Sequence, residues 1–415
     1  MFANLEKFMF IFVSCLFAGI VQAEPLTFSR ALELAEHQSP ILIANTAQID
    51  AARSSAIPAG ALPDPKLFAG LNNFDVSGPY AGTLEADFMT METIGISQDV
   101  PNADKRHARQ AVANAEINVV QAQRDVELLA VRRDTAIAWL NLYYLQRKET
   151  LLNQLDQENT LLSQIVRAQI AGGLAQPADA VIPQQEAIQI ADRRDDLASA
   201  EAQFRAKLRQ YVGIAADGEL AGTPPSLVIN SQALKQHLHQ HPEFLLFAAQ
   251  TQKATAEVNE AQSLKKSDWG VAVGFQRRAP QFGNMVSIQF TFDLPISPST
   301  RQDPIILAKQ RELDRIDAER DNVLREYIQE LDTDMAEYEA LSRQIERAKH
   351  ITLPLLDEKI KLQTASYKGG KGDLTTLLIA RRERIDQRLH IIDLENKKSS
   401  VAARLYFTFA EGLSQ

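Results

Sequence analysis

Met285–Pro295 reads MVSIQFTFDLP, and the alternation within it decides how the chain is built. Val286, Ile288, Phe290 and Phe292 fall on one side of an extended chain, while Ser287, Gln289, Thr291 and Asp293 fall on the other. Past Pro295 the pattern changes. From about Thr300 to Tyr367 the chain is rich in helix formers, free of glycine and interrupted only by Pro304 and Pro354. A two-faced strand therefore feeds a very long helix. The same junction occurs once earlier, where Thr93–Pro101 (TIGISQDVP) precedes helix formers from about Asp104. One architecture is used twice.

Working outward, the spacing predicts four strands, at about 66–74, 89–100, 268–276 and 285–294. Helices are expected from Leu26 to about Ala56, broken at Ser39-Pro40, and from Asp104 to about Ile170. The latter spans roughly 67 residues, on the order of 100 Å at helical rise. Gly172-Gly173 stops it, and a helix from Ala178 to about Val212 runs back. After a loop at about 214–231 the scheme restarts: helix from Leu234 to about Lys265, two strands, a long helix to Tyr367, a stop at Gly369-Gly370, and a return from Asp373 to about Phe409. The halves match in order. Ser39-Pro40 answers to His241-Pro242, Asp99-Val100-Pro101 to Asp293-Leu294-Pro295, and Gly172-Gly173 to Gly369-Gly370. The first repeat covers about 26–213 and the second about 232–412. In the second long helix Leu324, Ile328, Leu331, Met335, Tyr338 and Ile345 suggest a coiled-coil seam.

The chain begins with Lys7, an apolar run from Phe8 and a small-x-small site at Val21-Gln22-Ala23, so residues 1–23 read as a secretory signal peptide rather than a retained anchor. Its single cysteine, Cys15, lies within that segment and leaves no disulfide framework for the remaining 24–415. A net charge of -9 argues against a nucleic-acid partner. Aromatics at 7% and charged residues at 23% fit extended helical bundles better than compact cores. No later run is long and apolar enough for a membrane helix, whereas weak period-two strands are compatible with a membrane β-barrel. The fold class is α+β, a duplicated strand pair with long helical hairpins.

Four strands cannot close a useful barrel, and an open sheet in lipid leaves edge N–H and C=O groups unpaired at several kcal/mol each. Two copies give eight strands with a filled interior; three give twelve and leave room for water. The chain must assemble or stay out of the membrane. In an assembly Val286, Ile288, Phe290 and Phe292 would face lipid, and Ser287, Gln289 and Thr291 the lumen.

This pattern resembles the TolC family of outer-membrane efflux proteins, over essentially all of residues 24–415: the duplication, two strand pairs, two rods, and the turns Ala171-Gly172-Gly173 and Tyr367-Lys368-Gly369-Gly370. The resemblance implies a homotrimer with a twelve-stranded barrel in the outer membrane of a Gram-negative bacterium, continued by a periplasmic α-helical barrel. It also implies docking of the helix tips at Gly172, Gly173, Gly369 and Gly370 to a periplasmic adaptor (membrane fusion) protein, and through it to an inner-membrane RND-type pump. Gly60–Pro65 (GALPDP) and the short second external loop resemble the branch serving heavy-metal resistance. Some relatives carry closed-state aspartates six and nine residues after the second turn glycine; here Thr376 and Ile379 occupy those places. Asp179 and Asp373 are candidate aperture acids, with helix N-terminal placement as the plain alternative.

His237, His239 and His241 invite a metal reading, but i, i+2, i+4 spacing puts only the first and third on one face and Pro242 interrupts the turn; surface polar residues at a helix start are the better reading. No catalytic motif is present, neither G-x-S-x-G, a phosphate-cradling glycine loop nor H-E-x-x-H, and no cofactor is expected. The expected function is a passive, non-enzymatic exit duct. The competing classes are a secreted periplasmic coiled-coil adaptor with a soluble strand domain, and a drug or secretion duct of the same fold.

Overall fold

The computed structural model describes residues 25–410 except 174, 228, 230–233 and 235–239. The signal segment and His237 and His239 lie outside the described residues. The chain divides into two compact units: Met1–Ser39 with Val131–Leu227 and Glu339–Ala403, and Pro40–Ala130 with Val228–Tyr338 and Arg404–Gln415.

The helices begin where local chemistry predicts. Thr27 caps α1 (Phe28–Gln38), its hydroxyl accepting from the Arg30 N–H at 3.2 Å. Ser39, preceding a proline, is held extended, and α2 (Pro40–Ala56) starts afresh. The 69-residue α3 (Ala103–Ala171) contributes to both units. A short 3-10 turn, Pro177–Ala180, leads into α4 (Val181–Val212), which ends at Gly213 with φ 61°. In the second half α5 (Pro242–Ser263) precedes the strands. The long second rod is α6 (Gln302–Arg347) and α7 (Leu353–Lys368), separated by a five-residue π turn at Ala348–Thr352. Pro354 explains the wide turn, since it has no N–H to continue the α-helical ladder. Finally α8 (Leu374–Leu405) leads into a second π turn, Tyr406–Ala410.

The first unit is built around Trp139 of α3, fully buried, whose indole N–H donates to the Leu26 carbonyl at 2.9 Å. Phe28 meets its ring edge-on and Tyr143 stacks on it. Leu26 is itself pinned by its N–H on the Glu219 carbonyl. The second unit packs Phe247 and Ala254 of α5 against Ile316 of α6, with Leu313 and Val323 alongside.

The seam of α6 departs from the sequence reading. In its later half Leu331, Asp334, Leu341 and Ile345 are buried, whereas Ile328 is exposed and Met335 only half-buried. Leu331 and Ile345 keep the expected seam, but at 334/335 it is one residue off because a carboxylate occupies it. Asp334 is buried and accepts from Arg404 Nε at 3.0 Å and Nη2 at 2.8 Å, and Arg404 Nη2 also reaches Glu337 at 3.1 Å. A paired charge can sit where apolar periodicity expects a methionine.

All four strands join in one antiparallel sheet of order β1-β2-β3-β4: β1 (Lys66–Asn72), β2 (Met91–Val100), β3 (Trp269–Arg277) and β4 (Met285–Phe292). β1 is two residues shorter than expected because Asn73 turns to φ 54°, and β2 correspondingly starts at Met91 rather than 89. β4 stops at Phe292, two residues before 294, and the Asp293 N–H donates to the Asp268 carbonyl at 2.9 Å as a last rung.

Candidate functional site

The register sorts every side chain of the sheet onto a face. Leu67 opposes Ile96, Ile96 opposes Val273, and Val273 opposes Ile288; Ala69, Ile94, Phe275 and Val286 form a second row, and Val271 pairs with Phe290. One face is thus largely apolar, with Gln98 opposite Val271, and is bounded at the loop end by Glu92 and Arg277, which oppose each other and pair at 3.2 Å. The other face carries Thr93, Ser97, Asp99, Ser287, Gln289 and Thr291 among small residues. Its hydrogen bonds run across the strands: Lys66 to Asp99 at 2.6 Å, Asn72 to Thr93 at 2.9 Å, Gln276 to Ser287 at 2.6 Å. Phe68, together with Met91 and Met285 at the loop end, is apolar on this face. The Phe68 side chain has a specific place. Its ring lies over the facing pair Gly95 and Gly274, and a Cβ on Gly95 would collide with that ring and with the Val273 carbonyl.

Neither face of the edge strands is covered. Every residue of β1 and β4 is exposed, and Val286, Ile288, Phe290 and Phe292 are between 60% and 67% exposed. A soluble sheet buries its apolar face against a second layer; this one has none among the described residues.

At the ends of α3 and α7 the two glycine turns lie together. Tyr367 donates its hydroxyl to Gln169 Oε1 at 2.7 Å. Only the second glycine of each pair takes a left-handed backbone, Gly173 at φ 69° and Gly370 at φ 67°. Gly172 and Gly369 instead donate N–H groups to the carbonyls of Ala168 and Ala365 in the last helical turn. Gly372, which sequence reasoning passed over, is closely packed: a Cβ there would lie 2.8 Å from Ser366 Oγ, so the serine hydroxyl would have to move.

Asp179 closes a capping box on the 3-10 turn that precedes α4, and Asp373 caps α8. Asp179 Oδ2 accepts from the Gln176 N–H at 2.9 Å, and Asp373 Oδ1 from the Thr376 N–H at 2.6 Å. The Thr376 backbone and side chain hold the Asp373 carboxyl below the usual carboxylate range.

His241 corrects the reading of surface polarity. It is buried, caps α5 by accepting from the Glu243 N–H at Nδ1 (3.1 Å), and stands edge-on to Tyr327 and Phe244. Burial lowers its pKa to about 4, with the Thr408 backbone pulling the other way. Its neighbours are aromatic, and no group of three His, Cys, Asp or Glu side chains among the described residues could hold a metal ion.

Below the sheet, Asp268 gathers Asn102 and Lys105. Its Oδ1 accepts from the Asn102 N–H and Nδ2 at 2.8 Å, and its Oδ2 from Lys105 Nζ at 2.6 Å. Burial pushes this carboxyl up, but the bonds from Lys105 and Asn102 together hold it below the ordinary value. The cluster fixes the start of α3 under β3, and single residues far apart in sequence gave no sign of it.

No family model matches the chain, and no curated protein matches it in sequence. Solved structures do. The outer membrane protein VceC of Vibrio cholerae is 17% identical, with 91% of this chain and 95% of that one covered at a TM-score of 0.73. The CmeC outer membrane channel of Campylobacter jejuni is 12% identical, covering 93% and 86% at 0.77. CusC, described in terms of transmembrane channel formation, is 15% identical, covering 91% and 91% at 0.76. At such identities the likeness is one of fold: mostly helical with a small antiparallel sheet, the TolC-like channel fold.

Proposed function

We propose that three copies of this chain join head to tail, β4 of one pairing with β1 of the next, to close a twelve-stranded barrel in an outer membrane, with the helices continuing into the periplasm. The observation that carries this reading is the four-stranded sheet with two unpaired edges, one apolar and one polar face, and no covering layer among the described residues. Each feature is costly in water and each is removed by closure in lipid: the edges pair, the apolar face meets acyl chains, the polar face lines water. Strands of 7 to 10 residues are close to the length a tilted strand needs to cross. A head-to-tail contact closes into a ring rather than a two-fold pair.

In this reading the protein is a passive exit duct of a tripartite efflux system, its driving force supplied by an inner-membrane RND-type pump. The turns at Gly172, Gly173, Gly369 and Gly370 meet the periplasmic adaptor, and Asp179 and Asp373 lie beside the aperture. Heavy-metal cations are the proposed cargo, on the resemblance of Gly60–Pro65 to that branch. A soluble periplasmic adaptor is disfavoured by the bare strands. Fractionation of cell envelopes tests the reading: recovery as a membrane trimer that conducts in a planar bilayer is expected, and a processed, water-soluble monomer overturns it. Growth of a deletion strain on copper, silver, zinc, cobalt and cadmium, against common drugs, tests the cargo.

A further inference from the structure

We infer that the ring closes with Asp293 of one copy beside Lys66 of the next, and that this ion pair sets the height at which β4 and β1 join; this rests on the barrel reading above, whose seam it specifies. Lys66 opens β1 on one free edge of the sheet, and Asp293 follows the last residue of β4 on the other. Both belong to the polar face. Lys66 opposes Ser97, and Asp293 is one step past Phe292, which opposes Trp269 on the apolar face. With every neighbouring pair antiparallel, β4 also runs antiparallel to β1, so the seam brings the end of β4 to the start of β1.

The charges complement each other across that seam. Asp293 is exposed and pairs with no side chain of its own copy among the described residues. Of the cations in the cleft beside it, Lys105 is held by Asp268 and Lys266 by Asp104, and Arg301 makes no ion pair with it. Lys66 reaches Asp99 at 2.6 Å with its side chain still 68% exposed, which leaves ammonium donors for a second carboxylate.

Backbone bonding selects the same register. The Asp293 N–H donates to the Asp268 carbonyl, so by antiparallel alternation Phe292, Phe290 and Ile288 turn their N–H and C=O groups to the free edge of β4. Followed through the pairings, Leu67, Ala69 and Leu71 do so on β1. Seating Leu67 against Phe292 puts Lys66 opposite Asp293 as a non-hydrogen-bonded pair, in which side chains stand closer. Pro65 then faces Leu294, whose carbonyl already accepts the Ile296 N–H at 2.9 Å, so the N–H that proline lacks is not needed there. A slip of two one way sets Asp293 against Asp64 and turns the Phe292 carbonyl to Pro65; a slip of two the other way sets Asp293 against Phe68. A slip of one mixes the two faces. In the chosen register the pairings lead from Lys66 through Ser97, Ala272 and Gln289 to Gly70 of the next copy, an advance of four residues, or twelve around the ring. Shear equal to strand number tilts the strands by about 36°, whereas the slipped registers give roughly 20° or 47°, outside the usual range of about 35–45°.

The test uses the full protein extracted from membranes in mild detergent. Gly70 has open space where a Cβ would stand, and in this register it faces Gln289 of the neighbouring copy. Gly70→Cys with Gln289→Cys should therefore oxidise to a covalent trimer, while Gly70→Cys with Ser287→Cys or with Thr291→Cys, the slipped controls, should not. Separately, Lys66→Gln and Asp293→Asn should each speed dissociation of the trimer in SDS at least about threefold, and the double variant no further, because the two groups act as one pair. An assembled trimer in which a slipped pair links faster, in which none of the three pairs links, or in which the two losses add overturns the inference and leaves the barrel standing. A chain found only in the soluble fraction overturns the barrel reading itself, and the inference with it.

Discussion

The phenol of Tyr367 and the carboxamide of Gln169 lie 2.7 Å apart and join the two glycine turns, although they stand 198 residues apart in sequence. A neutral side-chain hydrogen bond contributes about 1 kcal/mol net. Tyr367→Phe should therefore speed amide exchange around Ala365–Lys371 several-fold while leaving global unfolding little changed. Unaltered exchange there would mean that the bond does not hold the turns.

Alanine at Gly173 or Gly370 must adopt φ near 69° or 67°. Each should cost about 1 kcal/mol, whereas Gly172→Ala and Gly369→Ala should be near neutral. Denaturant midpoints of the four variants decide this; equal losses at all four would refute the assignment of the left-handed positions.

Asp334 and Arg404 form a bidentate pair with the carboxylate buried and the guanidinium about one-third exposed. Asp334→Ala should destabilise by about 2–3 kcal/mol, somewhat less than the usual cost of breaking a fully buried pair, because Arg404 retains solvent and Glu337. Asp334→Leu combined with Arg404→Leu should recover much of the loss. A double variant no better than Asp334→Ala would show that the seam cannot accept an apolar pair.

The buried imidazole of His241 makes stability depend on pH. Its folded pKa, about 4, lies below the ordinary 6.5, so the unfolded chain binds the proton more readily between those values. Stability is full above about pH 6.5 and falls as the pH drops toward 4, by about 3 kcal/mol in all. Glu243, whose carboxyl burial and then Glu127 push up, titrates in the opposite sense and partly offsets this. Comparing wild type with His241→Asn, which keeps a capping side chain, isolates the imidazole. The variant should lose the part of the decline between about pH 6.5 and 4 that the imidazole supplies, leaving that of the lowered carboxylates; an unchanged pH profile would mean that His241 is solvated.

On β4, Phe290→Arg places a charge on the apolar face and Gln289→Arg places one on the polar face. In the proposed barrel the first should impair insertion by about 2–4 kcal/mol per chain near the midplane, while the second mainly alters conductance. Equal yields of assembled trimer would count against the orientation of the sheet.

The parts of this fold legible in the sequence are those governed by period and punctuation. Alternation at Val286–Phe292 marked a strand, Ser39-Pro40 marked a break, and glycine pairs marked the ends of rods. What escaped was decided by partners distant along the chain. Asp334 enters the seam because Arg404 meets it, His241 is buried because Tyr327 and Phe244 surround it, and Asp268 anchors α3 through Asn102 and Lys105. Of the two glycines in each turn, only backbone geometry tells which one is obligatory.

Phe68 sits across from Gly95, with its ring over the notch that Gly95 and Gly274 leave. Sliding β1 by one residue would throw the ring onto the opposite side of the sheet; sliding it by two would set it against Thr93 or Ser97, where no hollow exists to receive it. A single aromatic ring thus acts as a ratchet tooth for the outermost strand, so the edge offered to any neighbouring molecule always presents its hydrogen-bonding groups at one fixed height.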